Sequence, residues 1–134
     1  MNIESIGLQA ENINELIGVL KQGIPANSFD KLRKRLNVSD NLLSRIVQIP
    51  KRTLTRRRRD GRLRTDESER VLRVARVYDK ALEVFEDEGA VESWLKKPAR
   101  GLGYKIPLEY ADTGPGAQEV INLLGRIEYG VFPG

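Results

Sequence analysis

Lys51, Arg52, Thr53, Arg56, Arg57, Arg58, Arg59, Arg62 and Arg64 are concentrated in one short stretch of this 134-residue chain. Guanidinium groups pair bidentately with guanine edges and also clamp phosphates, so the chemistry open to such a run is nucleic-acid binding. A proline, Pro50, stands directly before the run, and Ser39 with Leu42, Leu43, Ile46 and Val47 reads as a capped amphipathic helix ahead of it. Two short helices joined by a tight turn, the second dense in Arg, form the arrangement that places a recognition helix in the major groove.

Laid on residues 40–59, the helix-turn-helix template finds Leu43, Ser44, Val47, Ile49 and Leu54 at its inward positions. Gln48 falls where the turn favours glycine. Arg57 belongs to the cationic set although it stands where an inward aliphatic is usual. Lys51, Arg52, Thr53 and Arg56, nearest the helix start, are the candidates for base edges; Arg58, Arg59, Arg62 and Arg64 are the candidates for phosphates.

Other chemistries have little to work with. The chain has no His and no Cys, which removes imidazole bases, thiol nucleophiles and Cys/His zinc sites. Glu86, Asp87, Glu88 and Glu92 lack a partner base or metal constellation. No enzyme, cofactor or small-molecule substrate is therefore expected. No stretch approaches the roughly 18 apolar residues of a membrane span, and the N-terminus lacks a leader pattern, so the expected setting is cytoplasmic, away from membranes. Charge divides along the chain: residues 1–82 carry 18 Lys/Arg against 10 Asp/Glu, and residues 83–134 carry 5 against 9. The first half suits phosphates, and the second is suited to a protein partner.

Hydrophobic periodicity predicts an all-α protein with no β-period segment. Leu8, Ile13, Leu16, Ile17 and Leu20 read as one helix ended by Gly23 and Pro25. Ser28 is expected to cap a helix carrying Phe29, Leu32 and Leu36. Thr65 opens a long helix to about Glu88 with Val71, Val74, Ala75, Tyr78, Leu82 and Phe85 on one face. Ala90 to Lys97, a turn at Pro107, and Ala117 to Ile127 supply the rest, with Gly114-Pro115-Gly116 as a break and Gly130 as the final cap. Tyr78, Leu82, Phe85 and Trp94 are expected in a core or a dimer interface. The domain reading is 1–65 for an N-terminal helix plus helix-turn-helix, and 66–134 for a small helical module.

Several pieces occur in order: the Arg-rich Pro50 to Arg59 segment, Asp66 to Val77, Val84-Phe85, Trp94-Leu95 before Pro98, and Pro107-Leu108-Glu109 followed by Arg126 to Phe132. In this the chain resembles, over about residues 23–134, the antitoxins that carry an Xre/MbcA/ParS toxin-binding domain and pair with RES toxins in type II toxin-antitoxin systems. The resemblance implies a homodimer that blocks an NAD-degrading RES toxin through Arg126, Glu128, Tyr129, Gly130, Val131 and Phe132. It also implies repression of its own operon through operator DNA. The alternative is a stand-alone helix-turn-helix regulator without a toxin. Burying Val131 and Phe132 in a toxin would contribute roughly 1.5–3 kcal/mol each.

Overall fold

Asn12, Ser39, Asp87 and Thr113 each accept a hydrogen bond from the backbone N–H three residues on, and each opens an α-helix. A side-chain oxygen at this position satisfies a donor that the helix itself leaves orphaned, a contribution of about 1 kcal/mol. The computed structural model describes residues 1–130. Among them are eight helices: α1 (Ile13–Gln22), α2 (Asn27–Leu36), α3 (Asp40–Val47), α4 (Lys51–Asp60), α5 (Thr65–Phe85), α6 (Glu88–Leu95), α7 (Pro107–Tyr110) and α8 (Gly114–Glu128). The chain divides into two compact units, Met1–Ala75 and a second from Arg76 onward. The division falls inside α5.

The N-terminus corrects the sequence reading. Residues 1–12 are not the start of a helix: β1 (Asn2–Ile3) and β2 (Leu8–Gln9) pair antiparallel around a 3-10 turn at Glu4–Ile6. Gly7 adopts φ 68°, which ends that turn, and the Met1 amine donates to the Ala10 carbonyl at 2.6 Å. Ile3, Ile6 and Ala10 are buried, whereas α1 begins only at its Asn12 cap. Of the apolar residues assigned to a single stripe, Leu16 is buried but Ile13 and Ile17 are 53% and 43% exposed.

Phe29, Leu32 and Leu36 of α2, Leu43 and Val47 of α3, Leu54 of α4 and Val71, Val74 and Ala75 of α5 are buried in the first unit. Ser28 is not the cap of α2. The helix starts earlier, at Asn27, where the Ser28 N–H already donates to the Pro25 carbonyl, and Ser28 is buried in the first turn. Gly23 is needed between α1 and α2. Its φ is 91°, and a Cβ there would collide with the Leu63 carbonyl, whose residue returns a hydrogen bond to Ile24.

In the second unit Tyr78, Ala81, Val91, Leu95, Leu108, Val120, Leu123 and Leu124 are buried. Phe85 and Trp94 meet at 5.7 Å with rings tilted by 50°, a favourable aromatic geometry. α5 stops at Phe85 rather than near Glu88, because Glu86 turns to φ 54° and Asp87 caps α6. Gly114-Pro115-Gly116 is not a break but the first turn of α8. Proline is tolerated there because its missing N–H costs no helical bond, and the Gly116 N–H donates to Thr113 Oγ1. At 116 a side chain would strike the Tyr110 carbonyl, so glycine lets α7 and α8 approach.

Candidate functional site

The turn between α3 and α4 is built as the sequence suggests. Leu43, Ser44, Val47, Ile49 and Leu54, the five inward template positions, are all buried. Gln48 adopts φ 56°, ψ 45°, a left-handed conformation that costs a non-glycine residue about 1 kcal/mol or more. The sequence offered no sign of how this turn is held. Arg70, from α5, donates through Nε to the Val47 carbonyl at 2.6 Å and through Nη2 to the Gln48 carbonyl at 3.2 Å. Those carbonyls end α3, where a cation also meets the negative end of the helix dipole.

Helical phase sorts the nine cationic-set residues. Arg52, Thr55, Arg56 and Arg59 lie at i, i+3, i+4 and i+7 and line one shallow depression on the exposed side of α4. Lys51 is exposed and Thr53 half-buried at the helix start. Arg59 has a 3.6 Å contact to Asp60, both side chains more than half exposed, a pair worth little in water. Thr55, a neutral residue outside the candidate set, joins this face through its position three residues after Arg52.

Arg57 corrects the DNA-facing assignment. It points inward and is 9% exposed, with Nε and Nη2 donating to the two carboxylate oxygens of Glu67 at 2.8 and 3.1 Å. Its inward template position had signalled this. Glu67 also accepts from the Arg64 backbone N–H at 2.8 Å, the reach-back of a capping box at the start of α5. Burial alone would push the Glu67 carboxyl up, but the Arg57 guanidinium and the Arg64 N–H together hold it below the ordinary carboxylate range. The bond to Glu67 raises Arg57 in turn, against the effect of burial.

Arg58 is half engaged: Nη2 lies 2.6 Å from Asp30 and 3.3 Å from Asp40, and the guanidinium sits 5.5 Å above the Phe29 ring. Arg33 also bridges Asp40, at 3.2 Å. Two acidic residues of the first unit are thereby neutralised beside α4. Arg62 donates to the Gly23 carbonyl at 2.7 Å, which fixes the chain crossing there, while the Arg64 side chain is exposed.

At the other end of the chain, α8 runs out at Tyr129, which is 80% exposed, and Gly130 follows at φ 67° with its N–H on the Ile127 carbonyl. Arg126 is half-buried. Glu128 accepts from Lys80 Nζ at 2.9 Å, so it fastens the last turn of α8 to α5 within the second unit, and that bond raises the Lys80 amine. Val131 and Phe132 lie outside the described residues. No helix among the described residues is long and apolar enough to cross a membrane.

Comparison with known proteins divides the chain similarly. The antitoxin Xre-like helix-turn-helix domain matches residues 15–76, and the antitoxin Xre/MbcA/ParS C-terminal toxin-binding domain matches residues 80–130. Antitoxin Xre of Yersinia enterocolitica is 39% identical over 129 residues, spanning 95% of this chain and 87% of that protein. Antitoxin Xre of Photorhabdus laumondii is 36% identical over the same shares. A protein of a Sphingobium species named Prs ADP-ribosylating antitoxin is 27% identical, over 87% of this chain and 79% of its own length.

Two outcomes follow from the packing of α4 and its turn. Glu67→Gln leaves a buried guanidinium without its anion and is expected to cost about 3–5 kcal/mol in chemical denaturation. Because the Glu67 carboxyl is depressed in the folded protein, its contribution is complete above the unfolded value of about 4.3 and is lost as pH falls through the lower folded value. The wild type should therefore weaken in that acid window by more than Glu67→Gln does. Arg70→Met removes a charged donor from two carbonyls and is expected to cost about 1.5–3 kcal/mol. Adding Gln48→Gly, which relieves the left-handed residue, should recover part of that loss in the same assay.

Proposed function

The chain belongs to the Xre antitoxin family, and from that premise we propose that it blocks an NAD-degrading RES toxin with its C-terminal run and represses its own operon as a homodimer on operator DNA. The matched domains, a helix-turn-helix and a toxin-binding domain, are those of an antitoxin family and not of an enzyme family. The observation that carries the blocking role is the end of α8. There a tyrosine four-fifths exposed stands on a turn anchored by Lys80 and Glu128, inside the stretch that matches the toxin-binding domain. An anchored base with an apolar extension suits a plug, because little ordering cost remains at its root when it docks. Arg126, Tyr129 and Gly130, with Val131 and Phe132 beyond them, are the assigned contacts, and Glu128 acts chiefly from within as the fastening group.

The Sphingobium relative's name is compatible with a partner that draws on NAD, since transfer of ADP-ribose breaks the same nicotinamide–ribose bond as NAD hydrolysis. For DNA, the outward row Arg52, Arg56 and Arg59 with Lys51 and Thr53 supplies the groove-facing set, and Arg64 a flanking phosphate contact. Residues 1–65 are assigned to DNA binding, with residues 66–75 of α5 packed into the same unit, and the remainder of 66–134 to dimerisation and toxin binding. For the dimer, Tyr78 is too buried in its own chain to serve; Leu82, Phe85 and Trp94 are half-buried and remain available.

Deleting residues 129–134 is expected to leave helicity by circular dichroism and DNA binding intact while abolishing inhibition of NAD consumption by the cognate RES protein. Full inhibition by the folded truncation would show that the terminus is not the plug. On DNA, Arg52→Ala or Arg56→Ala should reduce the ratio of operator to random-sequence affinity. Arg59→Ala should weaken both alike and lower the salt dependence by about one counterion. Unchanged binding in all three variants would remove α4 from the interface.

A further inference from the structure

Tyr104 combines two properties that oppose each other. Its backbone is left-handed, φ 65°, directly after Gly103 at φ 62°. Hydrogen bonds hold it there: its N–H donates to the Ala99 carbonyl at 2.9 Å, and the Ala99 N–H donates to the Lys105 carbonyl at 3.0 Å. Tyrosine is a poor residue for that conformation, where asparagine or glycine fits without strain. Yet the residue is 67% exposed, so burial within the chain does not offset the strain. Tyr110, 37% exposed, lines the same concavity as Tyr104, Lys105, Ile106, Glu109 and Asp112. Among the described residues, Tyr104, Tyr110 and Tyr129 are the exposed large apolar side chains of the second unit.

We propose that the Tyr104–Tyr110 concavity is a second toxin contact, separate from the C-terminal plug, and that it receives an apolar side chain from the toxin surface. This rests on the toxin-blocking reading above. Tyrosines are favoured anchors of protein interfaces because they offer large apolar area for few rotatable bonds, and strained residues concentrate where function requires them. The residues belong to the stretch that matches a toxin-binding domain. The acidic balance of residues 83–134 argues against nucleic acid as the occupant.

The test is titration of the cognate RES-type protein by calorimetry into the full-length chain and three variants: Tyr104→Asn, Tyr110→Ser and the chain lacking residues 129–134. Tyr104→Asn is expected to keep or raise the unfolding midpoint while weakening toxin binding about tenfold or more. Improved or equal folding with poorer binding is an outcome that a purely structural role for Tyr104 does not give. Tyr110→Ser should weaken binding by a similar factor and leave DNA affinity unchanged. Wild-type affinity in both tyrosine variants, with the truncation impaired, would overturn the second contact and leave the plug standing. If the unmodified chain failed to bind the RES protein at all, both readings would fall. A Tyr104→Asn variant that bound toxin normally but no longer self-associated in sedimentation would reassign the concavity to a second copy of the chain, against the proposal.

Discussion

Arg57 and Glu67 form the ion pair on which the first unit depends. A guanidinium at 9% exposure is tolerable only with its charge matched and its donors used, and Glu67 meets both needs with two oxygens while also capping α5. The pair fixes the rotation of α4 about its axis. With residues 54 and 57 both turned inward, residues 52, 56 and 59 fall on the outward side, since each residue advances the helix by about 100°. A segment in which charge alone distinguishes no face thus acquires one defined cationic row. Leu54 reinforces that phase from the same buried side.

Neighbouring charges consolidate this arrangement. Arg58 and Arg33 occupy Asp30 and Asp40, carboxylates that would otherwise repel phosphate close to α4. Arg70 holds the carbonyls of the turn, so a left-handed glutamine stands where glycine would be easier. In the second unit the corresponding fastening is Lys80 with Glu128, which sets the point from which the C-terminal run leaves α8.

Periodicity carried most of the helical architecture and the five inward helix-turn-helix positions, because both depend on local spacing. Arg57 illustrates what it could not carry alone: its inward template position was legible, but the compensating anion lies ten residues on, in another helix, and only the fold brings them together. Arg70 is the same case at greater separation. The N-terminal hairpin escaped because two-residue strands are too short to show a period, and Leu8 happened to continue the spacing of α1. At Gly114-Pro115-Gly116 a composition typical of loops hid a helix start, since the deciding contact is the Tyr110 carbonyl against Gly116. In the C-terminal unit Gly130 was legible as a helix end, whereas the engagement of Glu128 by Lys80 was not.

On the proposed reading the chain presents its DNA surface on α4 and its toxin surface at the end of α8, one in each matched domain. Amide hydrogen exchange on the full-length chain, with the cognate RES protein or with operator DNA added separately, tests it most directly. The expected result is that toxin slows exchange at residues 126–130 without protecting residues 51–60, and that DNA does the reverse. Protection of α4 by toxin, with residues 126–130 exchanging as in the free chain, would contradict it.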